Sequence, residues 1–199
     1  MQCANRQSSW PCLLRGVVLL VAVGVSSLLA AAWQIAARPG GEHPDRLAPF
    51  VPTPMLVVEE MLRLAEVDEH DTVYDLGSGD GRIVIMAAQK FGAEAVGVEL
   101  DEDLFKESSA RIVALGLEKR AKILHENMYE VSLRPATVVT LYLLTSVNER
   151  LRPILERDLR SGARVVTHDF KVPGWEPAKT ATVTSENGIS HTIYLYVRP

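Results

Sequence analysis

The sequence predicts an α/β fold: a mostly parallel, seven-stranded sheet with helices on both faces, preceded by one N-terminal transmembrane helix. Three observations carry this. From Pro54 onward, short apolar runs bounded by turns alternate with amphipathic stretches, the pattern of strands joined by crossover helices. The run ending at Leu76 passes directly into the glycine-rich turn Gly77-Ser78-Gly79-Asp80-Gly81, and then into RIVIMAAQKF, which has helical character. Ahead of all this lies Gly16 to Ala37, 22 uncharged residues bracketed by Arg15 and Arg38. A helix of that length crosses a bilayer.

Residues 1–15 are read as a tail, 16–37 as the transmembrane helix, 38–47 as a linker rich in Pro, Gly and charge, and 48–199 as the folded domain. A cleaved signal peptide is the rival reading of the apolar segment, because Ala30-Ala31-Ala32 offers small residues for cleavage. In PFVPTP, Pro49 to Pro54, Thr53 is expected to cap a helix whose first position is Pro54. Met55, Val58, Met61, Leu62 and Ala65 continue it at helical spacing. The first strand is Thr72 to Leu76, followed by a helix over about Arg82 to Phe91. The second strand is Ala95 to Glu99, and its helix covers about Asp103 to Leu115, closed by Gly116. The third strand is Ala121 to His125 and the fourth the run Ala136 to Leu144. A helix over about Asn148 to Leu159 leads to the fifth strand, Ala163 to Thr167. Lys179 to Val183 and His191 to Val197 are predicted to pair antiparallel around Asn187-Gly188.

Ligands of such sheets bind beyond the carboxyl ends of the strands. Alternating glycines there let the backbone approach a ligand where a Cβ would collide with it. The spacing is G-x-G-x-G, with Asp75 two residues ahead; the dinucleotide fingerprint is G-x-G-x-x-G, and no Gly-Lys-Ser/Thr follows. Asp75 and Asp80 flank the loop, which disfavours a pyrophosphate and suits a cationic ligand. A sulfonium and an ammonium together point to S-adenosylmethionine. Glu99, at the tip of the second strand, suits the two hydroxyls of a ribose. Because that cofactor is made and kept inside cells, the expected location is a single-pass membrane protein with its domain on the cytoplasmic side. The slight charge bias of Arg6 and Arg15 against Arg38 and Arg46 argues the other way.

Composition narrows the partners. Residues 42–199 hold 18 Lys and Arg against 25 Asp and Glu, a net of −7, a poor match for nucleic acid. Cys3 and Cys12 both precede the apolar segment, so the domain has neither a disulfide framework nor a cysteine metal site. His43, His70, His125, His168 and His191 show no ligand spacing, and no metal is expected.

Asp75-Leu76-Gly77-Ser78-Gly79-Asp80-Gly81 resembles the first motif of the class I S-adenosylmethionine-dependent methyltransferases, whose fold is Rossmann-like. Glu99 resembles their ribose-binding acid. The expected cofactor-binding set is Thr53, Asp75, Leu76, Gly77, Ser78, Gly79, Gly81, Glu99, Leu100 and Asn127. Leu100 would offer adenine an apolar face. Asn127 stands where class I enzymes often carry an acid for the adenine amino group. The N/D-P-P-Y/F signature of enzymes that methylate amide or adenine nitrogens is absent from Tyr142 to Asn148. Asp169, after the fifth strand, is the candidate to orient a substrate amine at the transfer site.

In order along the chain, PFVPTPMLVVEEML, VYDLGSGDGRIVI, AVGVEL and GARVVTHDF further resemble a membrane-tethered methyltransferase family of bacteria and mitochondria. Its mitochondrial members methylate lysine in the ATP synthase c-ring protein or in the adenine nucleotide carrier. The resemblance implies a protein-lysine N-methyltransferase acting on a membrane or membrane-proximal protein. A small-molecule or lipid methyltransferase and a non-catalytic binding protein are the alternatives.

Overall fold

The computed structural model describes residues 50–199. The elements are α1 (Met55–Leu64), β1 (Thr72–Leu76), α2 (Arg82–Lys90), β2 (Glu94–Glu99), α3 (Glu102–Ala114), β3 (Ala121–His125), β4 (Val138–Leu141), α4 (Thr145–Asp158), β5 (Arg164–His168), β6 (Lys179–Thr184) and β7 (Ser190–Val197). They form one seven-stranded sheet in the order β3-β2-β1-β4-β5-β7-β6. The first five strands pair in parallel, while β7 runs antiparallel to both β5 and β6.

The sheet is covered on both faces because its central strands are apolar on both. Val73, Ala95, Ala121, Val138 and Val166 pack on one face against Val57, Val58, Met61 and Leu62 of α1, Ile83, Val84 and Ala87 of α2, and Ile112 of α3. Tyr74, Leu76, Val96, Val98, Val139, Leu141 and Val165 pack on the other face against Val147, Leu151 and Leu155 of α4. Leu76, Leu141, Leu151 and Leu155 are fully buried. Each such side chain stabilises the fold by about 1.5–3 kcal/mol. Strict alternation along β1 sends Asp75 to the α1/α2 face, between Tyr74 and Leu76 on the other. The chain winds outward in opposite senses from β1, to β2 and β3 on one side and to β4 and β5 on the other. The crevice at that switch point, beyond the carboxyl ends of β1 and β4, is where such sheets bind ligands.

Strand positions follow the sequence reading, with β4 the main exception. The expected run Ala136 to Leu144 shrinks to Val138–Leu141. Ala136 N–H donates to the Leu133 carbonyl, which closes a turn before the strand. After Leu141 the chain leaves the sheet, and α4 starts at Thr145 rather than at Asn148. Thr53 does not cap α1: the helix begins at Met55, after Pro54, with no side-chain cap. The predicted hairpin forms between β6 and β7.

The expected tail, transmembrane helix and linker fall on residues outside those described. Among residues 50–199 no helix is long and apolar enough to cross a membrane. The longest, α4, has 14 residues, about 21 Å at 1.5 Å per residue, against a hydrocarbon core of about 30 Å. The expected single-pass membrane location is corrected accordingly: no helix among the described residues supports it.

Candidate active site

The glycine loop after β1 folds back onto β2. Gly77 N–H and Ser78 N–H both donate to the Val98 carbonyl, at 2.9 and 3.0 Å. This close approach explains Gly97 in the middle of β2, where a Cβ would sit 2.6 Å from both Ser78 Oγ and Ile123 Cδ1. The loop glycines Gly77, Gly79 and Gly81 take φ values of 76°, 54° and 74°, a region open to glycine at little cost. The turn ends at Gly81, whose N–H donates to the Ser78 carbonyl, and α2 starts at the next residue.

Beside this loop lies a cavity of about 460 Å³, within the range of small-ligand sites. Its lining carries six carboxylates, Asp75, Asp80, Glu99, Asp101, Glu102 and Glu126, and one arginine, Arg82. Asp75 is 3% exposed, and the Thr140 hydroxyl donates to it at 2.7 Å. Burial pushes its carboxyl up to about 7 against that hydrogen bond, and the charges of Glu99 and Asp80 add to the rise. Glu99 accepts from Gly79 N–H at 2.7 Å and from Asp101 N–H at 2.9 Å, which ties the loop to the tip of β2.

Asp80 is different. Burial alone would raise its carboxyl, but Arg82 at 2.6 Å and Arg111 at 3.6 Å hold it below the usual range. The pair of loop carboxylates expected to meet a cationic ligand therefore narrows to Asp75. Arg82 also donates to the Thr53 carbonyl at 2.7 Å, which anchors the segment before α1 to the loop.

Of the expected cofactor residues, Thr53, Asp75, Gly77, Ser78, Glu99, Leu100 and Asn127 line the cavity. Leu76 is fully buried among the α4-face residues instead. Gly81 faces α3, where a Cβ would lie 3.1 Å from Ser108. Gly79 lies beneath the Phe50 ring. Asn127 closes its own turn, accepting from Tyr129 N–H at 3.1 Å and donating to Glu130 at 3.2 Å. Phe50, Tyr142 and Phe170 also line the cavity and were not singled out in the sequence. Tyr142 follows β4 directly, so the strand-tip rule, applied to β4 with its true end, finds it. The rings of Tyr142 and Phe170 are 6.2 Å apart.

Asp169 is not among the lining residues. Its backbone is left-handed, with φ 58°. Its carboxylate accepts from Thr192 N–H at 2.8 Å and lies 3.0 Å from His191 Nδ1, turned toward β7. Burial would raise this carboxyl, but the bonds to His191 and Thr192 hold it below its ordinary value. His168 is fully buried; its Nε2 is 2.9 Å from His191 Nδ1, and its Nδ1 is 3.3 Å from Thr53 Oγ1. Its ring stacks on Tyr142 with centroids 3.8 Å apart. Burial pushes His168 down to about 4. Two histidines that read as scattered along the sequence are thus brought into contact by the antiparallel pairing of β5 with β7.

A ligand with polar groups is what the site lacks. Ser78 Oγ is buried, lines the cavity and has no hydrogen-bond partner among the described residues. The strand order, the acid–glycine loop and the acid at the tip of β2 together define a class I S-adenosylmethionine-dependent methyltransferase. The chain belongs to the family of the ANTKMT methyltransferase domain, which matches residues 75–179, just over half of its length. It is 49% identical over 150 residues to a protein-lysine N-methyltransferase of Saccharolobus islandicus, covering 75% of this chain and 92% of that protein. It is 35% identical over 132 residues to the mouse lysine N-methyltransferase that acts on the c-ring protein of ATP synthase, covering 66% of this chain and 53% of the mouse enzyme. Among solved structures it resembles an RNA methyltransferase of Salinibacter ruber in complex with S-adenosyl-L-homocysteine, with 47% identity and a TM-score of 0.71. That match covers 75% of this chain and 94% of the other. The cofactor is S-adenosylmethionine.

Proposed function

We propose that the chain transfers a methyl group from S-adenosylmethionine to a lysine side chain of a protein. Thr53, Asp75, Gly77, Ser78, Glu99, Leu100 and Asn127 would hold the cofactor, and the acceptor would enter beside Tyr142 and Phe170. The observation that carries this reading is the charge of the lining: six carboxylates and one arginine, with that arginine already paired to Asp80. Such a cavity favours cations, both the cofactor and an approaching ammonium.

The bound cofactor supplies a methyl group already activated for in-line displacement. The chain's own residues then have three tasks. Asp75 faces the positive end of the ligand, and Glu99 accepts from its ribose hydroxyls. Tyr142 and Phe170 offer ring faces to the amine before transfer, as aromatic side chains do for alkylammonium groups. They also exclude water, which favours the neutral amine that must act as nucleophile. Asp169 acts at one remove, because it holds the imidazoles that support the Tyr142 ring.

The relatives named for lysine in proteins support this acceptor, and the mouse enzyme's name makes a membrane-protein lysine the first to try. An RNA acceptor is the second reading, favoured by the likeness to the Salinibacter RNA methyltransferase. The net charge of −7 over residues 42–199 opposes it, since phosphate contacts need clustered Lys and Arg. The test is incubation of the purified chain and labelled cofactor with a native extract containing membranes and with total RNA. Label recovered as methyl-lysine after protein hydrolysis is the expected result. Label confined to RNA establishes the second reading, and label confined to lipid or small molecules refutes both.

A further inference from the structure

The histidines and aspartate at the carboxyl end of β5 form a geometry that the methyl transfer does not use. His168 Nε2, His191 Nδ1 and an Asp169 carboxylate oxygen converge on one point. Their separations are 2.9 Å between the two nitrogens, 3.0 Å from His191 to the oxygen and 3.3 Å from His168 to the same oxygen. Three atoms so arranged need a proton pattern that satisfies every edge, and none exists. If His191 Nδ1–H donates to Asp169, the His168 Nε2 lone pair faces the carboxylate oxygen. If His168 Nε2–H donates to His191, the Nδ1 lone pair faces it instead. If both nitrogens carry protons, two N–H groups meet at 2.9 Å. The remaining nitrogen of His191, Nε2, is buried without a partner in every case and does not discriminate between these patterns.

A cation at the centre satisfies all three edges at once. Ligand bonds of about 2.0–2.1 Å place neighbouring donors about 2.9 Å apart in an octahedron and about 3.4 Å apart in a tetrahedron. The observed edges fall within that interval. Two imidazole nitrogens beside one carboxylate select a transition ion over magnesium or calcium, which take oxygen ligands. Thr53 Oγ1, 3.3 Å from His168 Nδ1, is placed to accept the proton on the nitrogen away from the ion, the outer contact that fixes a metal-bound imidazole.

We propose that His168, Asp169 and His191 form a binding site for a divalent transition ion of zinc type, which pins β5 to β7 beneath Tyr142. The site involves no redox step and no bond to the substrate. It stands apart from the choice of methyl acceptor, and its test reads metal rather than activity.

The experiment uses the full chain, stripped with chelator and then titrated calorimetrically with Zn²⁺ at neutral pH. Co²⁺ serves in parallel as the spectroscopic probe. Cys3, Cys12 and His43 can capture zinc on their own, so the comparison with variants carries the test. Asp169→Asn and His191→Gln keep the size of each side chain, and circular dichroism checks their fold. The wild type is expected to bind one ion that both variants bind at least ~30-fold more weakly, and its Co²⁺ form is expected to show a visible band that both variants lose. In addition, zinc should raise the Tm of the wild type and leave that of the folded variants unmoved. No saturable binding, or equal affinity in wild type and folded variants, overturns the proposal and leaves a hydrogen-bonded cluster in its place.

Discussion

Cofactor binding should expel a proton from Asp75. In the empty site, burial holds this carboxyl near pH 7, with Glu99 and Asp80 on the same side of the balance and the Thr140 hydroxyl opposing. A ligand carrying a sulfonium and an ammonium favours the ionised form, so binding selects the deprotonated carboxylate. With a pKa of about 7, roughly one site in ten is ionised at pH 6 and about three in four at pH 7.5. The Kd for S-adenosylmethionine should therefore rise about eightfold from pH 7.5 to pH 6, a window below the titration of the ligand's own amino group near pH 8. Calorimetry in buffers of different ionisation enthalpy reads the proton directly: about 0.9 released per site at pH 6 and about 0.2 at pH 7.5. Asp75→Asn should bind more weakly, by about 1.5–3 kcal/mol, and lose the pH slope. The same linkage acts on folding. Between about pH 4 and pH 7 the folded state keeps the proton that the unfolded chain has lost, so the stability of the empty domain falls as pH rises through that window. A Kd independent of pH, or an Asp75→Asn variant with the wild-type slope, would refute the reasoning.

Two further outcomes are expected. Gly97→Ala places a methyl group 2.6 Å from Ile123 Cδ1 and Ser78 Oγ, and overpacking of this kind destabilises by about 1–3 kcal/mol; thermal melts should show a loss of about 2–4 °C per kcal/mol, and an unchanged Tm would mean the loop does not rest on β2. Glu99→Gln and Glu99→Ala should each weaken cofactor binding by about 1.5–3 kcal/mol in a folded protein, with alanine the worse because the Gly79 and Asp101 N–H groups lose their acceptor as well; equal affinity in a titration would remove Glu99 from the site.

Much of the framework was legible because period and punctuation agree. The apolar runs of β1 and β2 and the glycine turn between β1 and α2 are local signals, and the structure realises them nearly residue for residue. The limits of β4 were not legible, because Tyr142 to Leu144 are as strand-like in composition as the residues before them. What ends the strand is the chain turning into the cavity wall and α4, a tertiary event. Thr53 misled for a similar reason. Its position before Pro54 has the signature of a cap, yet its hydroxyl meets His168, 115 residues away. Leu76 and Gly81 belong to the motif by sequence but serve packing, Leu76 under α4 and Gly81 against α3. The contact of His168 with His191 depends on β7 lying antiparallel beside β5, a pairing that no spacing along the chain encodes.

The charge of the cavity takes its meaning from which carboxylates are already engaged. Asp80 is held by two arginines, and Glu99 by two backbone N–H groups. Asp101 caps α3 through the N–H groups of Asp103 and Leu104, and Glu102 pairs with Lys106. Asp75, raised to about 7, is largely protonated below neutral pH while the site is empty. A lining that reads as strongly acidic by count is therefore mostly compensated at rest, which is why six carboxylates can share one cavity without unfolding it. The uncompensated charge appears when the cationic ligand arrives and Asp75 ionises to meet it. Affinity for the cofactor and stability of the empty domain then respond to pH in opposite directions between about pH 4 and pH 7, and both responses should vanish together in Asp75→Asn.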